Sequence, residues 1–463
     1  MDLARSLRQD RLPMSKSDLT QGPVGQTLFR LTAPMMMGVS SMILVSMIEI
    51  GFIGQLGTSA VAAVTFAFPV TMSLSSIALG ISIGTSSVIA RSVGSGDMEE
   101  VRRLSTHGLT LIAILIVLLS TLGWFTISPV FEALGATPDT LPIIHDYMTL
   151  YFPGTVLFTL GMVAGSIMRA NGNATIPGVV MTIAALLNLA LDPIFIFGWF
   201  GFPALGVQGA ALAMILSRLF AFVLLLHYIK RFQLINLSAI TDRFWVSTKR
   251  ILHVGVPAMA TQLIGPISAA IITRILASHG EAVVAGFGVA ARLEAVAVML
   301  LFALSGSIGP FVGQNFGANK LSRVRAGMSA AYRFCLFWSL FSATVLFFAA
   351  QHIVPLFESN PIAIETAVFF LLIVPWSHGL WGVLMMASAS FNALGKPLPS
   401  TALSFMRMFL VNIPIALIAN KYWGYQGVFV ATFIANCLLG LVGYFWFKRI
   451  FFTQPIRSET LAS

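Results

Sequence analysis

Three polar residues interrupt apolar stretches of the chain. Glu49 lies in MIEIGFIGQLG (47–57), and the eighteen residues before it carry no charge. Asn188 and Asp192 are four residues apart, so they share one face of a helix. Pro193 follows and leaves a carbonyl one turn earlier without its usual donor. An acid, an amide and a free carbonyl on one face could hold a proton or a cation.

The composition places these residues in a membrane. Of the 463 residues, 57% are hydrophobic and 10% are charged, and the mean hydropathy is +0.89; soluble domains carry about 25% charged residues. The net charge of +10 comes from short connections between apolar runs, which disfavours nucleic-acid binding. Cys335 and Cys437 lie in separate apolar runs, and no CxxC or His/Cys cluster occurs, so no disulfide, structural metal or cofactor is predicted.

Twelve apolar runs are long enough to cross a hydrocarbon core of ~30 Å, which requires ~20 residues per helix. They are continuous rather than alternating, which predicts an all-α polytopic membrane protein instead of a β-barrel. The predicted spans are 27–53, 59–90, 105–131, 141–168, 177–198, 207–229, 250–277, 282–312, 327–353, 361–391, 397–420 and 425–447.

Lys and Arg are concentrated in the two tails and the even-numbered connections, whereas the odd-numbered connections carry mainly acids and histidines. This bias predicts that both termini are cytoplasmic, in a bacterial inner membrane. The predicted organisation is a cytosolic tail (1–24), an N-lobe of six helices (25–230), a cytoplasmic linker (231–249), a C-lobe of six helices (250–450) and a second cytosolic tail (451–463).

The two halves repeat each other at a fixed spacing. Pro34 and Pro257 are 223 residues apart, and so are Gly57 and Gly280. The same spacing relates RANGN to NALGK, and a spacing of 218 relates GVQG to GYQG further along. Parallel duplications of this kind build secondary transporters, with two pseudo-symmetric lobes around a site near the midplane.

Four stretches resemble the multidrug and toxic compound extrusion (MATE) transporters, over roughly residues 25–450. They are MIEIGFIGQLGTSAVAAVTFAFP (47–69), RANGNATIP with NLALDPIFIFG (169–198), GVQGAALA (206–213), and ARLEA with GQNFGA (291–318). The last pair is similar to the damage-inducible-type and archaeal branch. The resemblance implies an antiporter.

The chain departs from the family pattern at two positions. Members usually carry Asp where Glu49 stands, and they often carry Thr where Met214 stands. In the family that hydroxyl is associated with a sodium site beside the acids of spans one and five. Its absence favours H⁺ over Na⁺ as the coupling ion at Glu49, Asn188 and Asp192.

A carboxylate at membrane depth is costly, by about 2.5–3.5 kcal/mol on insertion scales. Desolvation favours its protonated form, which can release a proton when access to water changes. We therefore predict that Glu49, Asn188 and Asp192 form the coupling site. The alternative is a structural role, with both acids held near the outer interface, because Gly57 and a glycine-rich loop follow closely.

Five further polar residues within spans are secondary candidates. Arg292 and Glu294 are two apart and so need separate partners, and Glu294 could be a second protonation site. Arg218 and Arg407 lie mid-span, where arginines usually satisfy neighbouring carboxylates or carbonyls but can also favour anionic substrate groups. His378 could relay protons, although a packed, hydrogen-bonded histidine is the alternative.

Met35, Met37 and Trp376 are candidates for a substrate cavity. Thioethers adapt to guests of different shape, but packing or lipid contact explains each position equally well.

The sequence predicts a secondary antiporter, not an enzyme, that exports amphipathic or cationic organic compounds in exchange for H⁺ or Na⁺. A GxxxxGK[ST] motif is absent, which disfavours an ATP-driven pump. Its partners would be small-molecule drugs and the bilayer, and the chain would be a monomer. A lipid-linked oligosaccharide flippase of similar architecture and an intramembrane enzyme remain as alternatives.

Overall fold

The computed structural model describes residues 19–451, and within that range every regular element is a helix. The first half contains six membrane-length helices and a short helix, Ile127–Ala133, after the third. The six are α1 (Val24–Gly54), α2 (Thr58–Ser95), α3 (Met98–Phe125), α4 (Leu141–Ala170), α5 (Thr175–Phe197) and α6 (Val207–Arg231).

The second half follows the same plan. Its first four long helices are α7 (Phe244–Ala277), α8 (Glu281–Gly317), α9 (Leu321–Ile353) and α10 (Pro361–Ala393). The last helical stretch, Pro397–Phe451, has 55 residues and is broken at Gly424 (φ 59°, ψ −149°). This break divides it into α11 (397–423) and α12 (425–451), so twelve spans are present and the predicted all-α fold class is confirmed.

The backbone repeats where the sequence repeats. Gly57 and Gly280 have φ of 105° and 108°, and both immediately precede the second helix of a half. Gly206 and Gly424 have φ of 55° and 59° and precede the sixth. Positive φ is costly for residues with a Cβ, so glycine at these turns has a physical reason.

The two halves form lobes that meet along four central helices. Helix α2 packs against α8, and the pseudo-symmetric pairs α2–α7 and α1–α8 also cross between the lobes. At the α2–α7 crossing, a Cβ on Gly84 would lie 2.4 Å from the carbonyl oxygen of Ile251. Glycine therefore allows the two backbones to approach closely.

One end of the bundle carries the α2–α3, α4–α5, α6–α7, α8–α9 and α10–α11 connections, which are rich in Lys and Arg; we call it the basic end, and the other the far end. At the basic end the lobes are joined by two equivalent hydrogen bonds. Arg91 Nη1 donates to the carbonyl of Ala393 (2.6 Å), and Gln314 Nε2 donates to the carbonyl of Ala170 (2.7 Å). Both partners of each bond are related by the 223-residue spacing.

The far end is more open. Between residues 74 and 94 of α2, and between 303 and 317 of α8, every residue is buried or half-buried. Towards the far end, one face of each helix is exposed at repeat-related positions. Because α2 and α8 are central helices, we infer that these faces line a cleft between the lobes; they carry Thr65, Pro69 and Ser73 on α2, and Gly288, Arg292 and Val296 on α8.

Replacement of Gly84 by Ala should destabilise the protein by about 1–3 kcal/mol, because the added methyl group collides with α7. Gly265→Ala is the matched control: nothing lies within 4 Å of its Cβ position, and alanine favours helix. Thermal unfolding in detergent measures both. Equal melting temperatures for the two variants would contradict this account of the α2–α7 contact.

Candidate functional site

The N-lobe brings the three predicted coupling residues together on neighbouring helices. Helix α1 packs against α5. Glu49 is five residues from the far end of α1, and Asp192 is five residues from the far end of α5. At 1.5 Å per residue both lie about 8 Å inside their helix ends. The two acids are thus at the same depth.

Asp192 is fully buried and belongs to a hydrogen-bond chain. Asn188 Nδ2 donates to Asp192 Oδ2 (2.9 Å), and Ser217 Oγ of α6 lies 3.1 Å from Asn188 Oδ1. The second carboxylate oxygen, Oδ1, is buried and has no hydrogen-bond partner among residues 19–451. A buried acceptor without a donor is costly, so this oxygen is a plausible place for a proton or a cation.

Glu49 is half-buried and is close enough to Asp192 and Arg218 for their charges to interact. Arg218 lies over the ring of Phe158 on α4, with Cζ 4.1 Å from the ring centroid. The buried side chain of Tyr147 is near the same charges. Two carboxyl groups therefore share one guanidinium group, and repulsion disfavours ionisation of both acids without a further cation.

The C-lobe contains a second polar cluster. His378 Nε2 lies 2.9 Å from Glu294 Oε1, which joins α10 to α8. Arg407 Nη1 donates to Asn436 Oδ1 (2.9 Å), and its guanidinium carbon is 5.5 Å from the centroid of Trp381. Arg407 is also near the charge of Glu294. Its segment, Met406–Asn412, is π-helical, a distortion that often occurs at functional sites.

The two clusters are related through the repeat. Phe158 and Trp381 are 223 residues apart, and each has an arginine over its ring. In the N-lobe this arginine is Arg218 of α6. At the equivalent position, 218 residues later, the C-lobe has Asn436, which instead binds an arginine supplied by α11. The lobes therefore place a guanidinium group on equivalent aromatic rings from different helices.

The remaining predicted residues lie outside both clusters. Arg292 is exposed on the cleft face of α8. Met35 is buried and approaches Gly306, Met37 is exposed, and Trp376 is partly exposed with its ring against Phe347 of α9.

Sequence reasoning missed several members of the clusters, namely Ser217, Tyr147, Phe158 and Asn436. Two of them had a usable signal, because Asn436 occupies the repeat position of Arg218, and Trp381 that of Phe158. Tyr147 had none. Among residues 19–451, no three His, Cys, Asp or Glu side chains come together as metal ligands.

A duplicated twelve-helix bundle with buried acids beside a cleft is the architecture of a secondary membrane transporter. The MatE family model matches the chain twice, over residues 34–194 and 257–418. The chain therefore belongs to the MatE family, whose members are transporters and not enzymes. The two matches begin at Pro34 and Pro257, the first pair in the repeat.

The similar proteins span nearly the whole chain. The FAD transporter of Shewanella oneidensis is 35% identical over 444 residues, covering 96% of this chain and 98% of that protein. The multidrug export protein MepA of Staphylococcus aureus is 25% identical and covers 91% and 93%. The crystal structure of the Vibrio cholerae MATE transporter VcmN in the bent form aligns with a TM-score of 0.88 at 29% identity, covering 93% and 97%.

Two substitutions in the N-lobe chain should change stability in opposite directions. Asp192→Asn should raise the melting temperature, because a buried charge is replaced by an isosteric amide that can still bond Asn188. Asn188→Ala should lower stability by about 1–3 kcal/mol, because it removes the one hydrogen-bond donor that the described residues supply to a buried acid. Thermal unfolding in detergent at neutral pH compares them, and similar losses in both would contradict the arrangement described.

Proposed function

We propose that the protein is a cation-coupled antiporter that exports a small organic molecule by alternating access. The observation that carries this proposal is the buried pair of acids, Glu49 and Asp192, which share Arg218 beside the cleft. A proton bound there neutralises charge that the low-dielectric interior disfavours. Release of that proton to one side, and capture from the other, would connect the cation gradient to cargo movement.

The Lys and Arg bias supports a cytoplasmic location for the basic end and for both termini, in the inner membrane of a bacterium. In this orientation the far end faces outward, and the cleft is open to the outside. The cytoplasmic side is then closed by the Arg91–Ala393 and Gln314–Ala170 hydrogen bonds. An inward-open state would require both bonds to break while the cleft closes at the far end.

A proton is favoured over sodium as the coupling ion. Met214, which supplies no hydroxyl group, stands where many family members carry Thr. The nearby hydroxyl of Ser217 is already engaged, with the carbonyl of Met214 at 2.9 Å and with Asn188. Hard cations such as Na⁺ need several oxygen ligands, by analogy with Ca²⁺ and Mg²⁺, whereas a proton needs only one free carboxylate oxygen.

The first candidate cargo is an amphipathic organic cation. The N-lobe site carries two acids against one arginine, so it would attract positive charge when both acids are ionised. Relatives named multidrug export proteins support this class. Cargo and proton would then compete for the same carboxylates.

The second candidate cargo is FAD. The relative named FAD transporter is 35% identical over nearly the full length, against 24–27% for the multidrug relatives. The exposed Arg292 on the cleft face of α8 offers a guanidinium group, which binds phosphate well. A lipid-linked oligosaccharide remains a third cargo, which a vesicle assay can include.

Glu49→Gln should abolish gradient-driven uptake into inverted membrane vesicles, because glutamine cannot carry the exchanged proton. Uptake of ethidium, FAD and a lipid-linked oligosaccharide is measured with pH and sodium gradients imposed separately. Glu132→Gln, in the exposed short helix at the far end, is the control and should leave uptake unchanged. Wild-type uptake by Glu49→Gln at equal abundance would refute the coupling role.

Arg292→Gln should separate the two cargo classes. It should lower the uptake of FAD, because it removes a positive charge from the cleft, and leave ethidium uptake unchanged. Arg333→Gln, on the exposed surface of the peripheral helix α9, is the control. If the wild type transports FAD and Arg292→Gln transports it equally well, the cleft arginine does not select the cargo.

A further inference from the structure

The ring of His378 is almost completely buried, with 1% of its side chain exposed, while its partner Glu294 is 22% exposed. The ring nitrogen Nε2 and the carboxylate oxygen are 2.9 Å apart. An ionised carboxylate only accepts hydrogen bonds, so Nε2 carries the hydrogen of a neutral ring and donates it to Glu294. The pair therefore links a buried base to a carboxylate with access to water.

The other ring nitrogen, Nδ1, is buried and has no hydrogen-bond partner among the described residues. In the tautomer that donates to Glu294, Nδ1 has a free lone pair. A purely structural histidine would normally satisfy both nitrogens when buried this deeply. The free nitrogen is thus a vacant position for one proton.

Two opposing effects keep this position close to balance. His378 begins the α-helical segment His378–Ala393 after the turn Val374–Ser377, and the positive end of a helix dipole disfavours an imidazolium ion. Glu294 favours it. A group under such opposing influences can gain or lose a proton when its surroundings change.

The charged and titratable groups around His378 come from three helices. Helix α8 supplies Glu294, and α11 supplies Arg407, which interacts with Glu294. Helix α9 supplies Cys335 and the adjacent Tyr332, which lie further along α10, where Cys335 approaches Gly382. Helix α12 contributes the neutral amide of Asn436.

We propose that Glu294 and His378 form a second proton-binding site, in the C-lobe, that exchanges its proton in the same transport cycle as the N-lobe acids. This proposal rests on the proposed antiport function. The proton enters from water at Glu294 and resides on Nδ1, so that the cluster of Glu294, His378 and Arg407 changes from neutral to a charge of +1. One cargo molecule would therefore move against two protons.

The first experiment detects the proton directly and needs no cargo. The ring of Trp381 lies 5.8 Å from that of His378, and a protonated imidazole quenches a nearby indole. The fluorescence of the purified full chain in nanodiscs should fall as the pH is lowered from about 8 to 5, the range in which histidines titrate. This step should be absent in Trp381→Phe, which isolates the signal from the other tryptophans.

Two conservative variants identify the groups responsible. His378→Gln keeps a neutral hydrogen-bond donor near Glu294 and should lose the fluorescence step completely. Glu294→Gln removes the carboxylate that stabilises the imidazolium ion, so the step should require more acid. Glu365→Gln, an exposed carboxylate of the same lobe, should titrate like the wild type. A step that survives in His378→Gln overturns the proposal.

The second experiment counts the protons. Proteoliposomes at zero membrane potential are given a series of pH gradients, and the accumulation of the same probes as in the vesicle assay is measured. Each coupled proton contributes a factor of about ten per pH unit at equilibrium. The logarithm of the accumulation ratio should therefore rise with a slope near two in the wild type and near one in His378→Gln and Glu294→Gln.

The outcomes separate this proposal from the proposed function. An equal slope in the wild type and both variants shows that the pair carries no coupled proton and overturns the proposal. If the wild type accumulates no probe under any gradient, the antiport function fails, and with it the coupling of the pair. The fluorescence step then still decides whether the pair binds a proton.

Discussion

The cost of keeping charge away from water constrains the rest of this structure. Within the membrane-spanning helices, every described acid near the cleft has a guanidinium group in electrostatic range, and each of those guanidinium groups lies over an aromatic ring: Glu49 with Arg218 and Phe158, Glu294 with Arg407 and Trp381. Apolar residues would fill the same space at lower free energy. Retention of paired charges in both lobes is therefore better explained by transport than by stability.

The duplication explains how such charges could be exposed in turn. The same backbone turns, at Gly57 and Gly280 and at Gly206 and Gly424, give the lobes the same shape. The lobes are joined at the basic end by a matched pair of hydrogen bonds, one donated by each lobe to the other. Individual hydrogen bonds contribute about 0.5–1.5 kcal/mol, so the two together hold a state that modest differential binding can reverse.

The sequence predicted the spans, the repeat and the N-lobe residues because those depend on hydrophobic length and on spacing along one helix. Asn188 and Asp192 share a face by their separation alone. The Glu294–His378 contact joins residues 84 positions apart on two helices, and only the helix packing brings them together. Trp376 is close to His378 in sequence, yet residues two apart face different sides of a helical segment. Trp381, three residues after His378, shares its side.

The two clusters lie at different depths, which bears on the order of events. Glu49 and Asp192 are about 8 Å from the far end, whereas Glu294, thirteen residues into α8, is about 20 Å from it. A cleft that opens at the far end hydrates the N-lobe acids first, and a cleft that opens at the basic end reaches the C-lobe pair over a shorter path. If both groups exchange protons, the N-lobe site would equilibrate mainly with the outside and the C-lobe pair with the side where cargo is loaded. Unequal depth would then give a symmetric scaffold a direction.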